Sequence, residues 1–228
     1  MKTPELFKKD NRTSFLLNFL AVVLGIVITF GGESVISHRQ EASDLTNCLN
    51  LVASELRSNK EILHLGDSLM RSQAEAALFL IRYEDDYTKA PQDSLSMMAN
   101  TPLFLAELSI YTDAFELLKS SGSLMKIKDK ELALAIFKTY GELQDSMRML
   151  AMFYEQKSKY AEMAMNEDVK NVLSKDDVTA TGLWSEITKT RDGQQFLREI
   201  IRFLYSYDTS GTHSLVSGTV ARIEEYTR

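Results

Sequence analysis

Residues 13–32 read TSFLLNFLAVVLGIVITFGG, twenty positions without an ionisable side chain. An α-helix rises about 1.5 Å per residue and a bilayer core is about 30 Å thick, so about 20 apolar residues suffice to cross it. Thr13–Gly32 therefore predicts a transmembrane helix, with Phe15, Leu16, Leu20, Val23, Leu24, Gly25 and Ile28 in the span. Its interruptions are mild. Asn18 lies one turn inside, and Gly25 and Thr29 are small residues that membrane helices use for close packing.

Two rivals compete for the same stretch. A cleavable signal peptide also follows a basic segment, here Lys8, Lys9 and Arg12, but the apolar run from Phe15 to Phe30 exceeds the usual h-region of about 7–15 residues. A buried helix of a soluble protein would carry a polar edge somewhere along such a run. The flanks set the orientation: Lys2, Lys8, Lys9 and Arg12 precede the span, whereas Arg39 alone follows closely, which puts the N-terminus in the cytoplasm. The expected location is a bacterial inner membrane, crossed once, with the main domain in the periplasm. Cys48, the single cysteine, has no intramolecular partner and decides nothing about the compartment.

Outward from the span, length and composition bound the rest. The chain has 228 residues, ample for one domain with a sizeable core beyond the anchor. A balance of 26 basic against 32 acidic residues, with no dense Lys/Arg block, argues against a nucleic-acid partner. Three prolines and ten glycines leave few breakers, which favours long helices over a many-stranded sheet.

The fold class expected is all-α: a single N-terminal transmembrane helix that continues into a stalk and an extramembrane helical bundle. The divisions are a cytoplasmic tail over 1–12, the span over 13–32, stalk and first bundle helix over 33–84, and the bundle domain over 85–228. After Gly32 an apolar stripe runs through Leu45, Leu49, Val52 and Leu56, then Ile62, Leu65, Leu69, Ala76, Leu80 and Tyr83. Gly66-Asp67 is the expected bend. Glu84 to Thr101 reads as a surface loop, and a helix is predicted from about Pro102 to Ser121, ended by a left-handed Gly122. Asp129 caps the next helix, whose stripe Leu132, Ile136, Tyr140, Leu143, Met147, Leu150 and Tyr154 is close to a heptad. These two helices are expected to pack as an antiparallel pair. Short helices and loop follow to Gly193, then helices over about Gln194–Tyr207 and from the Asp208–Gly211 turn to the C-terminus.

The residues Tyr111–Leu132, YTDAFELLKSSGSLMKIKDKEL, together with Leu24-Gly25-Ile26 in the span, carry a resemblance. The chain resembles a family of uncharacterised bacterial single-pass membrane proteins, in which an LGI-type span leads to a helical domain bearing a helix, then Ser-Gly-x-Leu, an Ile and a Glu-Leu that opens the next helix. The matching positions are Ser121, Gly122, Leu124, Ile127 and Glu131-Leu132, with Asp129 as the cap. Where the family's span runs out into an Asn-Trp or similar pair, this chain has Gly31-Gly32-Glu33-Ser34. The resemblance implies architecture and location, and no activity.

Chemical signatures are scarce. The chain has no P-loop, Gly-x-Gly-x-x-Gly, His-Glu-x-x-His, Cys-x-x-Cys or Gly-x-Ser-x-Gly. Glu61, His64 and Asp67 share one helical face, but a di-iron bundle needs two Glu-x-x-His pairs, and neither His38 nor His213 has a Glu three before it. The simpler reading is a solvated polar face. Asp208, His213 and Ser214 supply triad residue types, yet neighbouring His and Ser side chains point apart, which favours a turn leading into a helix. Glu84-Asp85-Asp86 lacks the spacing of a calcium loop, and Trp184, Tyr205 and Tyr207 read as core aromatics before they read as a pocket.

The function expected is therefore non-enzymatic: a membrane-anchored interaction or scaffold protein of the bacterial envelope, acting as a homo-oligomer or as a subunit of a membrane complex. No catalytic residue, cofactor or metal is expected. The partners are the lipid bilayer and a protein or a second copy, with Leu49, Val52, Leu143 and Met147 as the candidate interface. The alternatives are a ligand-sensing bundle on a membrane stalk, and a metal-dependent or hydrolytic enzyme.

Overall fold

A computed structural model describes the backbone from Asp10 to Arg228 and the side chains from Gln40 onward. The chain is all-α, and among the described residues there is no strand. Helix α1 spans Asp10–Arg82. It is followed by α2 (Gln92–Met98), α3 (Asp113–Ser120), α4 (Ser123–Lys126), α5 (Lys130–Ala164), α6 (Glu167–Leu173), α7 (Ala180–Ile187), α8 (Arg191–Ser206) and α9 (Ser210–Tyr226). Two compact units divide after Leu49, the second being Asn50–Arg228. The expected bundle over 85–228 thus shares its unit with the C-terminal half of α1. Among the described residues no helix is long and apolar enough to cross a membrane. The side chains of the expected span, Phe15, Leu16, Leu20, Val23, Leu24, Gly25 and Ile28 included, lie outside those residues.

Within the second unit, α1 is organised by a strict alternation of four- and three-residue steps. Val52, Leu56, Asn59, Leu63, Gly66, Met70, Gln73, Ala77 and Leu80 are all buried, the 3.5-residue period of a helix whose one seam packs on its neighbours. The stripe expected through Ile62, Leu65 and Leu69 is displaced by one residue to Leu63, Gly66 and Met70, with Leu65 exposed, while its later members Ala76 and Leu80 are buried as expected. The reason is that every second position of the true seam between Leu56 and Ala77 is Asn59, Gly66 or Gln73, residues that do not read as apolar.

Helix α1 runs unbroken through Gly66-Asp67, where a bend or break is expected from sequence. A Cβ at Gly66 would meet Leu150 Cδ2 at 3.3 Å and Leu108 Cδ1 at 3.5 Å, so the glycine is a point of close approach.

The second correction concerns Pro102–Ser121. A 3-10 turn at Thr101–Leu103 is followed by non-helical backbone, and the helix proper is only Asp113–Ser120. From Leu105 to Thr112 exposure alternates with period two, Ala106, Leu108, Ile110 and Thr112 inward and the intervening residues outward. That is the pattern of extended backbone. The amide of Asn59 holds this strap, its Nδ2 donating to Tyr111 O at 2.7 Å and its Oδ1 accepting from Tyr111 N at 2.7 Å. Lys157 Nζ donates to the carbonyl of Phe104 at the other end. Pairing to side chains offers the strap what helix formation would otherwise supply.

Around α5 the sequence pattern holds: Leu132, Ile136, Tyr140, Leu143, Met147, Leu150 and Tyr154 are buried, and Asp129 caps the helix by accepting from Glu131 N and Leu132 N. The expected antiparallel partner is reduced to the two turns of α3, whose Phe115 stacks on Tyr140 with ring centroids 4.2 Å apart. Helices α8 and α9 both pack along α5. Thr139 donates to Ala135 O, so Thr219 must donate in their 2.8 Å hydroxyl pair; Ser146 and Thr212 repeat the arrangement one heptad away at 3.3 Å. Gly122, at φ 69°, supplies the left-handed residue between α3 and α4. Where a loop was expected between Glu84 and Thr101, α2 and a 3-10 turn at Tyr87–Lys89 form instead, covered by Trp184, whose Nε1 donates to Ala99 O at 3.0 Å.

Glycines differ sharply in what they tolerate. At Gly193, in the first turn of α8, a Cβ would lie 1.8 Å from Ile187 O, a backbone atom that cannot swing away, whereas Gly141 in α5 has nothing within 4 Å. Gly193→Ala should destabilise by about 2 kcal/mol or more through this overpacking. Gly141→Ala should stabilise by up to about 1 kcal/mol, the gain in helix propensity. Thermal unfolding of the purified protein followed by circular dichroism distinguishes the two.

Candidate functional site

The densest collection of chemically active side chains lies where the first turn of α9 meets α1. His64 and Asp67 are one helical turn apart on α1, and His213 comes from α9. Asp67 draws the two helices together: its Oδ1 and Oδ2 each accept from Thr209 Oγ1 at 2.9 Å, and Oδ2 lies 2.7 Å from His213 Nε2. The imidazoles of His64 and His213 stack with centroids 4.1 Å apart and planes inclined by 29°. One ligand-capable atom from each of the three residues lies within 4.8 Å of the others.

Tyr207 completes this region. Its hydroxyl is buried and makes no hydrogen bond among the described residues, as is the case for Nδ1 of His213. Burial, and next the negative charge of Asp67, raise the Tyr207 pKa well above that of a free phenol. A hollow of about 250 Å³ opens beside Asp67, Arg71, Tyr207, Thr209 and His213. Glu61, the third member of the face expected from sequence, is exposed and outside the cluster.

A second polar centre sits between α1 and α5. Lys157 is only 2 % exposed, and its Nζ donates to Gln73 Oε1 at 2.5 Å and to the Phe104 carbonyl. Gln73 in turn donates from Nε2 to the Tyr154 hydroxyl at 3.1 Å. The rings of Tyr154 and Phe153 lie 5.4 and 5.9 Å from the nitrogen. Among the described residues no carboxylate hydrogen-bonds to Lys157, and burial pulls its pKa down to about 7.

The third feature is at the start of α3. Glu55 on α1 accepts from Ala114 N at 2.8 Å and Phe115 N at 3.2 Å, capping α3 from outside because Thr112 makes no side-chain cap. The Tyr140 hydroxyl donates to the same carboxylate at 2.5 Å. Beside this junction Leu51, Tyr111, Ala114 and Leu117 line a hollow of about 400 Å³.

The sequence-derived candidates separate cleanly. Leu49, Val52, Leu143 and Met147, read as an interface, are buried within the chain's own fold, so a heptad-like stripe here marks core and not a free seam. Ser121, Gly122, Leu124, Ile127 and Asp129 form the turn between α3 and α5, with Leu124 and Ile127 buried. Asp208, His213 and Ser214 do not converge: Ser214 Oγ donates to Ser210 O, Asp208 accepts from Ser210 N, and His213 turns to Asp67. Trp184 is in the core, Tyr205 is exposed and Tyr207 adjoins Asp67, so they form no common pocket. Asp86 caps the 3-10 turn after it and Glu84 pairs with Arg198. Sequence reasoning missed the joining of His213 to His64 and Asp67, across 146 positions, because only tertiary structure brings them together.

No protein-family model, curated protein or solved structure matches the chain. What these residues do must be read from their own chemistry.

Lys157 gives a signed test. Its unfolded pKa is the ordinary value of about 10.4. With the folded value near 7, the unfolded chain binds more protons between these limits, so stability must rise with pH across that window and be lowest below it. The slope is at most about 1.4 kcal/mol per pH unit for one proton. Melting temperatures from about pH 6.5 to about pH 9, short of tyrosine ionisation, should climb in the wild type and flatten in Lys157→Met.

Proposed function

We propose that the chain is a membrane-tethered, non-enzymatic interaction protein of a bacterial cell envelope. Thr13–Gly32 anchors it in the inner membrane with residues 1–12 in the cytoplasm, and the helical bundle stands in the periplasm, where it docks a protein partner or a second copy of itself. The anchor rests on the uncharged twenty-residue stretch and on the Lys/Arg bias before it. The resemblance to single-pass envelope proteins points the same way.

The observation that carries the docking reading is the hollow between α1 and α3. Leu51, Tyr111 and Leu117 around it remain 52 %, 57 % and 47 % exposed. Large apolar side chains gathered on one concave surface are what a buried interface centre uses. The rim is also held still, since Glu55 fixes the α3 N-terminus and Asn59 fixes Tyr111, and a preorganised surface loses less entropy on binding.

The test extracts full-length protein from its native membrane in mild detergent, determines its mass, and identifies what co-purifies. A homo-oligomer or a stoichiometric second protein is expected. Leu51→Asp with Leu117→Asp should disperse that assembly while leaving the melting temperature within about 3 °C of wild type, because both side chains are already largely in water. A bare monomer, or an assembly indifferent to both substitutions, overturns the reading.

A second reading, a ligand-sensing bundle, is favoured by the hollow of about 780 Å³ along α5 and α9, whose lining includes Lys138, Glu142, Asp208 and Arg222. A small-molecule ligand would raise the melting temperature in proportion to its occupancy of the native state.

A further inference from the structure

We propose that His64, Asp67 and His213 form a binding site for a divalent transition-metal ion of the Zn²⁺ class. The site is independent of the tethering and docking reading. Two imidazoles and one carboxylate are a borderline-soft nitrogen and oxygen set that suits Zn²⁺ and its first-row neighbours, whereas Ca²⁺ and Mg²⁺ take oxygen ligands almost entirely.

The geometry is close to what such an ion needs. Zn²⁺ binds His nitrogen and carboxylate oxygen at about 2.1 Å, so Asp67 Oδ2 and His213 Nε2, 2.7 Å apart, would subtend about 80° at the ion and need open only slightly. The full set spans no more than 4.8 Å, and to ligate the same ion the exposed His64 ring turns out of its stack on His213, so that its in-plane lone pair faces the ion. His64 and Asp67 are fixed relative to one another by one turn of α1. Thr209 holds the carboxylate through both oxygens, the kind of outer hydrogen bond that orients a metal ligand.

A second, independent observation points to a ligand here. His213 Nδ1 and the Tyr207 hydroxyl are both buried and make no hydrogen bond among the described residues, and Tyr207 and His213 both line the hollow of about 250 Å³. Buried polar atoms without partners are uncommon, and water coordinated to an ion at Asp67 and His213 Nε2 would reach the Tyr207 hydroxyl beside the hollow, while Nδ1 of His213 would carry the ring proton. Binding requires the proton shared between His213 Nε2 and Asp67 to leave, since the ion takes the nitrogen lone pair. Three protein ligands from α1 and α9 leave a position for water, and the ion then becomes a staple between the two helices.

The experiment uses full-length protein in detergent, stripped with a chelator and titrated with Zn²⁺ by calorimetry and with Co²⁺ by visible absorption. One saturable site per chain in the micromolar range or tighter is expected, with Zn²⁺ raising the melting temperature. His64→Ala is the decisive variant, because the side chain is exposed and its one described contact is the ring stack, so the fold should survive its removal. It should weaken Zn²⁺ binding by about tenfold or more, as should His213→Ala, while His38→Ala leaves it unchanged. Absence of saturable binding overturns the proposal. So does binding that persists undiminished in His64→Ala, or that is lost in His38→Ala instead.

Discussion

Asn59 and Gln73 are carboxamides set inside an otherwise apolar seam, and neither can be buried unless a distant part of the chain brings it partners. A buried donor or acceptor left unmade costs about 1–3 kcal/mol, comparable to a sizeable fraction of a domain's net stability. Asn59 is satisfied by both backbone groups of Tyr111, and Gln73 by Lys157 and Tyr154. Sliding α1 along its neighbours by a turn would keep apolar surface covered but strand both amides. The polar residues thus fix the register that the leucines alone leave degenerate.

The same helix gathers the rest of the unit. Glu55 caps α3, Asn59 holds the extended strap before it, Asp67 receives Thr209 and His213 at the start of α9, and Gln73 receives Lys157 from α5. Each is a side chain on α1 reaching a remote segment, and Glu55 and Asn59 pair backbone groups that their segments leave without local partners. α3 has no cap of its own, and the strap from Phe104 to Thr112 has no strand partner. Short helices that would be marginal alone persist because α1 terminates and docks them.

This arrangement also explains why the concave apolar surface and the His–Asp–His cluster are well formed. Both lie at points where α1 meets a segment that it pins, so their side chains inherit the stiffness of a long helix and not the mobility of a loop. The α5–α9 contact is built differently, from threonine and serine hydroxyl pairs one heptad apart, which lets the two helices approach closely while every hydroxyl finds an acceptor.

Helical class, the near-heptad face of α5, the Asp129 cap and the left-handed Gly122 were legible in the sequence, because each depends on residues within a few positions of one another. The stripe on α1 differs from its sequence reading between Leu56 and Met70 because Asn59 and Gly66 do not read as seam residues, and Gln73 joins them there only once Tyr154 and Lys157 are in place. Pro102–Ser121 was read as helix because Leu105, Leu108 and Thr112 fit a helical spacing, while the backbone pairing from Asn59 that favours an extended chain comes from 52 residues away. His64 and Asp67 read as a solvated face with Glu61, because His213, which joins them in place of Glu61, is 146 residues from Asp67. The sequence by itself determined the local periodicities, the caps and the uncharged stretch Thr13–Gly32, all set by near-neighbour spacing and composition. Only the tertiary structure decided which polar groups are buried and which histidines meet, because burial and long-range pairing are properties of the packed chain and not of any window along it.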